Sequence, residues 1–306
     1  MSSINTNASA MNALSTLRQI NKDLEGTQGR ISTGLQVESG KDNAAYFQIS
    51  ETMKGDSSVY ASINEGLTLT KNSISTARLG AETINGLAQE FLDKVAFAQG
   101  ATGGHAEIEN DLKELVKQMT TTLSQSTFNG DDMLGAGATL TAATIDGTTG
   151  VITTATSDAD VTGRNVVTGI TRAGTYGTTD ISVGTYDMLS LVDNFNVVAN
   201  GFATNATDAT NGEAFLAGVL AATETEVGNV TDIATKLGQS EKSIENQQEF
   251  LSSVVDNIDA GVGSMIDANM EEEAARLQAL QVQQQLATQS LSIANQAPQN
   301  ILSLFR

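Results

Sequence analysis

The residues from Ile63 to Ala98 read INEGLTLTKNSISTARLGAETINGLAQEFLDKVAFA, and they decide the fold class. Small or apolar side chains return alternately four and three residues apart, for about five heptads of seven residues. The positions in this series are Ile63, Leu67, Thr70, Ile74, Ala77, Ala81, Ile84, Ala88, Phe91, Val95 and Ala98. A heptad pattern sustained beyond three or four repeats indicates a helix that packs along a coiled-coil seam.

Two further heptad series lie on either side of the middle of the chain. The first follows a Gly103-Gly104 pair, which favours a turn between two helices. Its positions are Ile108, Leu112, Leu115, Met119 and Leu123. The second series contains Val230, Ile233, Leu237, Ser240, Ile244, Gln247, Leu251, Val254 and Ile258. We therefore predict a mainly α fold, in which both ends of the chain contribute long helices to an antiparallel coiled-coil rod.

The larger apolar side chains of the three series are the predicted core of this rod. They are Ile63, Leu67, Ile74, Ile84, Phe91, Val95, Leu112, Leu115, Met119, Ile244, Leu251, Val254 and Ile258. A helix of roughly fifty residues extends about 75 Å, because each residue adds about 1.5 Å. We expect these seams to pack inside one chain, since a helical apolar stripe usually faces its own core.

Thinner apolar stripes recur near both chain ends. One repeats at intervals of seven through Ala10, Leu17, Leu24 and Ile31, and the other steps by three and four from Leu277 to Ala294. Isolated helices are marginal in water, so each stripe needs a partner, either the other chain end or another molecule. We favour packing between subunits. The residues assigned to it are Leu14, Leu17, Leu24, Ile31, Leu277, Leu280, Leu291, Ile301, Leu302 and Leu304.

The middle of the chain, residues 131–211, differs in composition from both ends. It is rich in Thr, Gly, Ala and Asp, and it contains short β-branched runs such as Val151-Ile152-Thr153. Pairs such as Asp146-Gly147 favour turns between strands. We predict a small β-containing insert that is variable and surface-exposed. Removal of about Thr139 to Asp193 should then be tolerated.

Charge and composition argue against several classes of partner. The net charge is −20, and between Gln118 and Thr235 the basic residues are Arg164 and Arg172. Nucleic-acid binding needs clustered Lys and Arg, so we expect none. No apolar run approaches the roughly 20 residues that span a bilayer, so we expect no membrane insertion. The first sixteen residues lack the features of a cleaved signal peptide.

The inventory of catalytic and metal-binding groups is short. There are no cysteines, and His105 is the single histidine, which we expect to be exposed or to cap a helix. The run Glu271-Glu272-Glu273 is expected to be a solvated face at a helix start, where the helix dipole favours carboxylates. We therefore expect no enzyme activity, no catalytic or metal site and no cofactor. An enzyme carried on the middle segment is the alternative from another class.

Three further motifs lie outside the three heptad series. The first joins Arg30-Ile31-Ser32-Thr33-Gly34-Leu35 to Ser39-Gly40-Lys41-Asp42-Asn43-Ala44-Ala45, and the second is Thr127-Phe128-Asn129-Gly130. The third is Asn300-Ile301-Leu302-Ser303-Leu304-Phe305-Arg306 at the C-terminus. The combination is most similar to the shorter flagellins of alphaproteobacteria. Residues that match the family signature are Arg30, Ser32, Thr33, Gly34, Leu35, Asp42, Ala44, Ala45, Phe128, Asn129 and Gly130.

The resemblance implies a structural subunit that polymerises into an extracellular flagellar filament for motility. By the same resemblance, residues 1–45 and 267–306 form the helices of an inner tube. Residues 46–130 and 212–266 form the coiled-coil rod, and residues 131–211 project outward. A hook–filament junction protein, which shares this terminal architecture, is the alternative function.

The resemblance also implies a set of partners. Other copies of the same chain form the helical filament, and the type III export apparatus secretes the subunit. A cytoplasmic export chaperone holds the C-terminal region before export. Filament cap and hook-junction proteins contact the ends of the filament.

Overall fold

The computed structural model describes residues 7–171 and 177–304, with side chains described up to residue 296. The side chains of Ile301, Leu302 and Leu304, which were assigned to packing between subunits, therefore lie outside the described part. The same holds for the side chains of the C-terminal motif from Asn300 to Arg306.

Long helices occupy both ends of the described chain. The helices are α1 (Ala8–Thr33), α2 (Gly40–Gly100), α3 (His105–Gln125), α4 (Met188–Ala199), α5 (Phe202–Ala206), α6 (Gly212–Ile266) and α7 (Met270–Leu304). The strands are β1 (Leu140–Thr141), β2 (Thr144–Ile145), β3 (Ile152–Thr153), β4 (Thr156–Ser157), β5 (Arg164–Thr171) and β6 (Gly177–Val183). The predicted fold class, mainly α with a small strand-containing segment between long helices, is confirmed.

The chain divides into two compact units. The described residues up to Ser58, together with those from Val254 onward, form the terminal unit. The residues from Val59 to Ser253 form the central unit. Helices α2 and α6 contribute residues to both. The predicted boundaries at residues 45, 130, 211 and 266 divide the chain by role rather than by compactness, and they stay a prediction.

Antiparallel helices form the core of the central unit. Arg78 of α2 pairs with Glu241 of α6, and Gln99, farther along α2, donates to the carbonyl of Leu216, which is earlier in α6. The two helices are therefore antiparallel. The residues of the first heptad series that are fully buried are Leu67, Ile74, Ala77, Ala81, Ile84, Ala88, Phe91, Val95 and Ala98. Ile63 and Thr70 are half-buried.

The remaining predicted core residues follow the same pattern. Leu112, Leu115 and Met119 of α3 are buried, as are Ile244 and Leu251 of α6. Val254 and Ile258 are half-buried and belong to the terminal unit. Burial of one large apolar side chain contributes about 1.5–3 kcal/mol, so this seam supplies the central unit with a substantial core of its own.

Part of the middle segment also belongs to this core. The ring of Phe195 on α4 meets the ring of Phe91 edge to face, with 5.2 Å between centroids. Phe202 on α5 lies 6.1 Å from Phe215 on α6, and both are fully buried. Helices α4 and α5 pack against α3. The expectation that residues 131–211 form a surface-exposed insert is therefore wrong for these two helices.

The buried part of the segment changes what a deletion should do. Removal of Thr139 to Asp193 would take away Met188 and Val192, which are 0% and 3% exposed, and would cut α4 in two. Large-to-small changes in a core already cost several kcal/mol, and this deletion removes several core side chains at once. This burial argues against tolerance of the deletion, whose outcome stays a prediction.

The strands form three small antiparallel pairs. Strand β1 pairs with β4, β2 with β3, and β5 with β6 in a longer hairpin that has an irregularity between Val167 and Gly169. Hydrogen bonds between described residues tie the hairpin to the helices. Gln247 on α6 donates to the Thr168 carbonyl at 2.9 Å, and the Tyr60 hydroxyl on α2 donates to the Ile170 carbonyl at 3.4 Å.

Candidate functional site

The terminal unit consists mainly of α1 paired with α7. Near one end of the pair, the Asn7 side chain donates to the Ala294 carbonyl at 2.8 Å. Farther along, the Gln284 side chain donates to the Asn21 side-chain oxygen at 2.7 Å. At the other end, Arg30 and Glu273 form an ion pair at 3.0 Å. The sequence numbers rise along α1 as they fall along α7, so the two helices are antiparallel.

The predicted terminal stripes mostly face each other within this pair. Leu280 is buried, with 9% of its surface exposed. The half-buried members of the stripes are Leu17, Leu24, Ile31, Leu277 and Leu291. The sequence left open whether each stripe packs against the other chain end or against another molecule. Within one molecule, the other chain end covers these side chains. Packing of these residues between subunits stays a prediction. Leu14 differs from them, because 37% of its surface is exposed.

Sequence reasoning missed two buried positions on α1. Ile20 is 9% exposed and Thr27 is fully buried. Both lie three residues after a position of the predicted stripe, namely Leu17 and Leu24. The spacing of three along a helix was the available signal.

Both helices of the pair also carry exposed apolar side chains, and sequence reasoning missed them. Met11, Val282, Leu286 and Ile293 have exposed fractions of 66%, 55%, 59% and 64%. The three residues on α7 are four and seven residues apart, which places them on one helix face. Here we call these four residues, together with Leu14, the outer row.

A shallow groove of about 420 Å³ lies between the two helices and includes Leu286 of the outer row. Its lining comes from both helices and consists of small or apolar side chains with a few hydroxyls and amides. The lining residues are Ala13, Thr16, Ile20, Gln283, Leu286, Ala287 and Ser290. Large exposed apolar patches on a protein surface mark places where another molecule binds.

The segment after α1 explains several residues of the first motif. Gly34 ends the helix at a φ of 74°, the left-handed conformation that glycine adopts at low cost, and its N–H donates to the Arg30 carbonyl. The Ala268 N–H then donates to the Gly34 carbonyl at 2.8 Å. Leu35 pairs with Asp267 in an antiparallel bridge. The junction between α1 and α7 is thus held by backbone hydrogen bonds.

An apolar cluster lies beneath this junction. Val37, Val262 and Ile266 are buried, and Leu35 and Phe47 pack against them. The N–H groups of the residues at 36 and 37 both donate to the Ile266 carbonyl, at 2.7 and 3.3 Å. This cluster anchors the segment between α1 and α2.

The other signature residues near the start of α2 serve as caps or lie at the surface. Hydrogen bonds from the backbone and side chain of Ser39 hold the pKa of the Asp42 carboxyl below its ordinary value. The Asn43 side chain accepts from the N–H groups of Ala45 and Tyr46, which caps the continuous part of α2. The residues Ser32, Thr33, Ala44 and Ala45 are exposed.

The second motif forms a tight turn after α3. Phe128 and Asp131 exchange two backbone hydrogen bonds, and Asn129 and Gly130 between them have φ angles of 51° and 80°. This is the conformation that Asn-Gly pairs favour. The Asp131 carboxylate accepts from Arg164, which holds its pKa below the ordinary value, and from the Ser73 hydroxyl at 2.5 Å.

Two predictions about charged groups need correction. His105 is the first residue of α3, but it is 7% exposed and Gly104 stands at the cap position, so it is neither exposed nor a cap. Glu271 and Glu272 are exposed at the start of α7 as expected, whereas Glu273 is 5% exposed. Glu273 is buried because it turns toward Arg30 on the partner helix.

Within residues 7–171 and 177–304, no cluster of three His, Cys, Asp or Glu side chains is arranged to hold a metal ion. Within the same ranges, no helix combines the length and the apolar character needed to cross a membrane.

Comparison with known proteins relates both ends of the chain to one family. Residues 4–139 match the bacterial flagellin N-terminal helical region, and residues 220–305 match the bacterial flagellin C-terminal helical region. A flagellin of Brucella melitensis biotype 1 is 36% identical over 308 residues. Flagellin C and Flagellin A of Rhizobium meliloti strain 1021 are 36% and 31% identical over 323 and 398 residues. These three alignments cover the whole of this chain and of each relative.

Proposed function

The chain belongs to the bacterial flagellin family, as a structural subunit of the flagellar filament, and we propose that its copies meet through the outer row of the paired chain ends. The predicted resemblance to alphaproteobacterial flagellins is confirmed, since Brucella and Rhizobium provide the relatives. The filament is a homopolymer. What remains to be assigned is the surface through which one copy contacts the next.

The exposure of the outer row supports this assignment. Leu286 and Ile293 have 59% and 64% of their surface in water, although the helix that carries them is already paired along its other face. Burial of such a side chain contributes about 1.5–3 kcal/mol, and a homopolymer repeats that contribution at every contact. A charge of −20 opposes association of like copies, so apolar contacts must outweigh the repulsion once salt screens it.

The residues assigned to inter-subunit packing then have two roles. Leu14 joins Met11 in direct contact with a neighbouring copy, because both are exposed on α1. The half-buried stripe residues, such as Leu24 and Leu277, hold α1 against α7 and so present the outer row. We retain Ile301, Leu302 and Leu304 as contact residues on the strength of the C-terminal motif.

The remaining partners follow from family membership. We propose that a cytoplasmic export chaperone covers the apolar face of α7 before assembly, since Val282 and Leu286 would otherwise stay in water. The type III export apparatus then secretes the subunit, and the cap and hook-junction proteins contact the terminal copies of the filament. The assembled chain is extracellular. We propose no enzymatic role, because flagellins are structural proteins.

A hook–filament junction protein is the second candidate function. The Brucella and Rhizobium relatives, which align with this chain over their full length, are named flagellins, and this favours the filament subunit. The number of copies per structure separates the two, since a junction forms a ring of few subunits and a filament continues to grow.

Substitution of Leu286 by Asp tests the role of the outer row. Its matched control is Gln285→Asp, which adds the same charge at the neighbouring exposed position of α7. We expect Leu286→Asp to abolish salt-induced polymerisation, because an unpaired carboxylate buried in each contact costs several kcal/mol. Gln285→Asp should still form filaments. Electron microscopy and sedimentation give the readout, and circular dichroism checks that both variants keep their helices.

Leu291→Asp and Ile301→Asp extend the same test. We expect Leu291→Asp to block assembly by separating α7 from α1, and Ile301→Asp to block it by direct loss of contact. Normal filaments from Leu286→Asp would contradict the outer row as the contact surface. Normal filaments from Ile301→Asp would contradict the role retained for the C-terminal motif.

A further inference from the structure

The apolar seam between α1 and α7 fits more than one register. On α1 the stripe recurs every seven residues, and on α7 its positions alternate three and four. If α7 slid by one heptad along α1, a distance of about 10 Å, Gln284 would take the place of Leu277 against the α1 stripe. Ala287 would likewise take the place of Leu280. After such a slide, another member of the α7 series still faces the α1 stripe. The apolar contacts alone therefore select the register only weakly.

One contact in the pair does not tolerate such a slide. Glu273 is 5% exposed, and its carboxylate meets the Arg30 guanidinium at 3.0 Å. Arg276, on the same helix, reaches the same oxygen atom at 3.7 Å. The second oxygen, Oε2, is buried and has no hydrogen-bond partner among the described residues. A slide of α7 would leave this buried carboxylate without Arg30, and a buried charge without its partner is strongly destabilising.

We propose that the Arg30–Glu273 ion pair sets the register of α1 against α7. A single buried polar residue in a helical seam can select one alignment among several apolar ones, at some cost in stability. Arg30 is thus a positioning residue: it acts through Glu273 on the alignment of two helices. Glu271 and Glu272 are exposed in the same turn, so they do not replace Glu273 in this role.

The register matters because the outer row has members on both helices. Met11 and Leu14 come from α1, whereas Val282, Leu286 and Ile293 come from α7, and a slide of one heptad would displace the two sets. This consequence rests on the proposed function, whereas the register itself can be measured whether or not the outer row mediates assembly.

The backbone junction is a competing source of the register. Gly34 and Ala268 are hydrogen-bonded four residues after Arg30 and five residues before Glu273. If the junction alone fixed the alignment, loss of the ion pair would leave the register unchanged. The experiment must therefore measure the register directly.

The absence of cysteine from the sequence permits a clean cross-linking test. Asn21→Cys with Gln284→Cys reports the native register, because these side chains are hydrogen-bonded at 2.7 Å. Asn21→Cys with Leu277→Cys, or with Leu291→Cys, reports a slide of seven residues in either direction. Each pair is treated with a short bis-maleimide after copolymerisation with an excess of the cysteine-free chain, so that links form within one subunit.

We expect Arg30→Gln to lower the ratio of native to slid cross-links by about tenfold or more, equivalent to about 1.4 kcal/mol. Arg276→Gln is the matched control, since it removes a neighbouring arginine and leaves Arg30 in place. In the Arg276→Gln background, Arg30→Glu combined with Glu273→Arg should restore the native ratio.

An unchanged ratio in Arg30→Gln would overturn the proposal and assign the register to the junction. Loss of native and slid cross-links together would also overturn it, because the ion pair would then hold the helices together rather than align them. Neither result bears on the Leu286→Asp experiment, so failure of the register and failure of the contact surface are distinguishable.

Discussion

The helical seam of the central unit buries most of its large apolar side chains, whereas the seam between α1 and α7 in the terminal unit buries its own only in part. Phe91 and Leu67 are fully buried in the central unit, while Leu17 and Leu24 of the terminal unit are half-buried and Ile293 is 64% exposed. The heptad pattern is similar in both. The difference lies in the number of helices, since α3 and α4 add further surfaces to the central seam, whereas α1 and α7 cover one face of each other. A two-helix pair leaves its outer face for another molecule.

The comparison is tested most strongly by protease digestion. We expect α1 and α7 of the free subunit to be cut on the order of a hundredfold faster than the same helices in the filament. Opening free energies range from near zero at weakly packed ends to the full unfolding value in a core. The central unit should be cut slowly in both states. Mass spectrometry of timed digests identifies the cleavage sites.

If protease cuts the two units of the free subunit at equal rates, the contrast between a well-packed central unit and a weakly packed terminal pair is wrong. Such a result would show that the pair of α1 and α7 is stable alone, despite its thin seam. The central unit serves as the internal control in each digest.

Two phenylalanines on α2 test whether the central unit is stabilised by its own buried core. Phe91 is fully buried and Phe97 is 69% exposed. We expect Phe91→Ala to lower the free energy of unfolding by about 3–5 kcal/mol, because it leaves a cavity at the contact with Phe195. Phe97→Ala should change it by less than about 0.5 kcal/mol. Urea unfolding of both variants gives the values, and similar losses in the two would contradict the assignment of the core.

A smaller effect tests whether the middle segment is fixed to the helices. A Cβ atom added at Gly218 on α6 would lie 1.9 Å from the Thr149 carbonyl oxygen, so the segment must move to admit it. We expect Gly218→Ala to cost about 1–3 kcal/mol, as overpacked contacts do. The control is Gly228→Ala on the same helix, where nothing lies within 4 Å. It should stabilise the helix by about 0.5–1 kcal/mol.

Thermal unfolding of the two glycine variants measures this difference. If Gly218→Ala is as stable as Gly228→Ala, the middle segment is free to shift, and its contribution to the core is smaller than its burial indicates.

Much of the helical architecture was predictable because its signal is local. The series from Ile63 to Ala98 repeats with the helix period, and nine of its eleven positions are fully buried. The motif at Gly34 was also readable, since glycine is the residue that best tolerates a left-handed helix end. The sequence of α4 carried a usable signal that was missed, as Met188, Val192 and Phe195 are spaced four and three residues apart and are buried.

The face that each terminal helix turns inward could not be predicted in the same way. Helix α7 carries one apolar series through Leu277 and Leu280 and another through Val282 and Leu286. Both have helical spacing. Which of them meets α1 depends on a helix that lies more than two hundred residues away in sequence, so local periodicity cannot choose between them.

The periodicity, the turns and the family signature of this protein can be read directly from its amino acids, because they depend on neighbouring residues and on backbone preference. Tertiary structure alone decided which of three consecutive glutamates is buried against Arg30, that His105 is enclosed, and which apolar row stays in water. These outcomes depend on contacts between residues distant in the chain, such as the 243 residues that separate Arg30 from Glu273. Burial depends on both helices of a packed pair, so it cannot be inferred from the sequence of one helix.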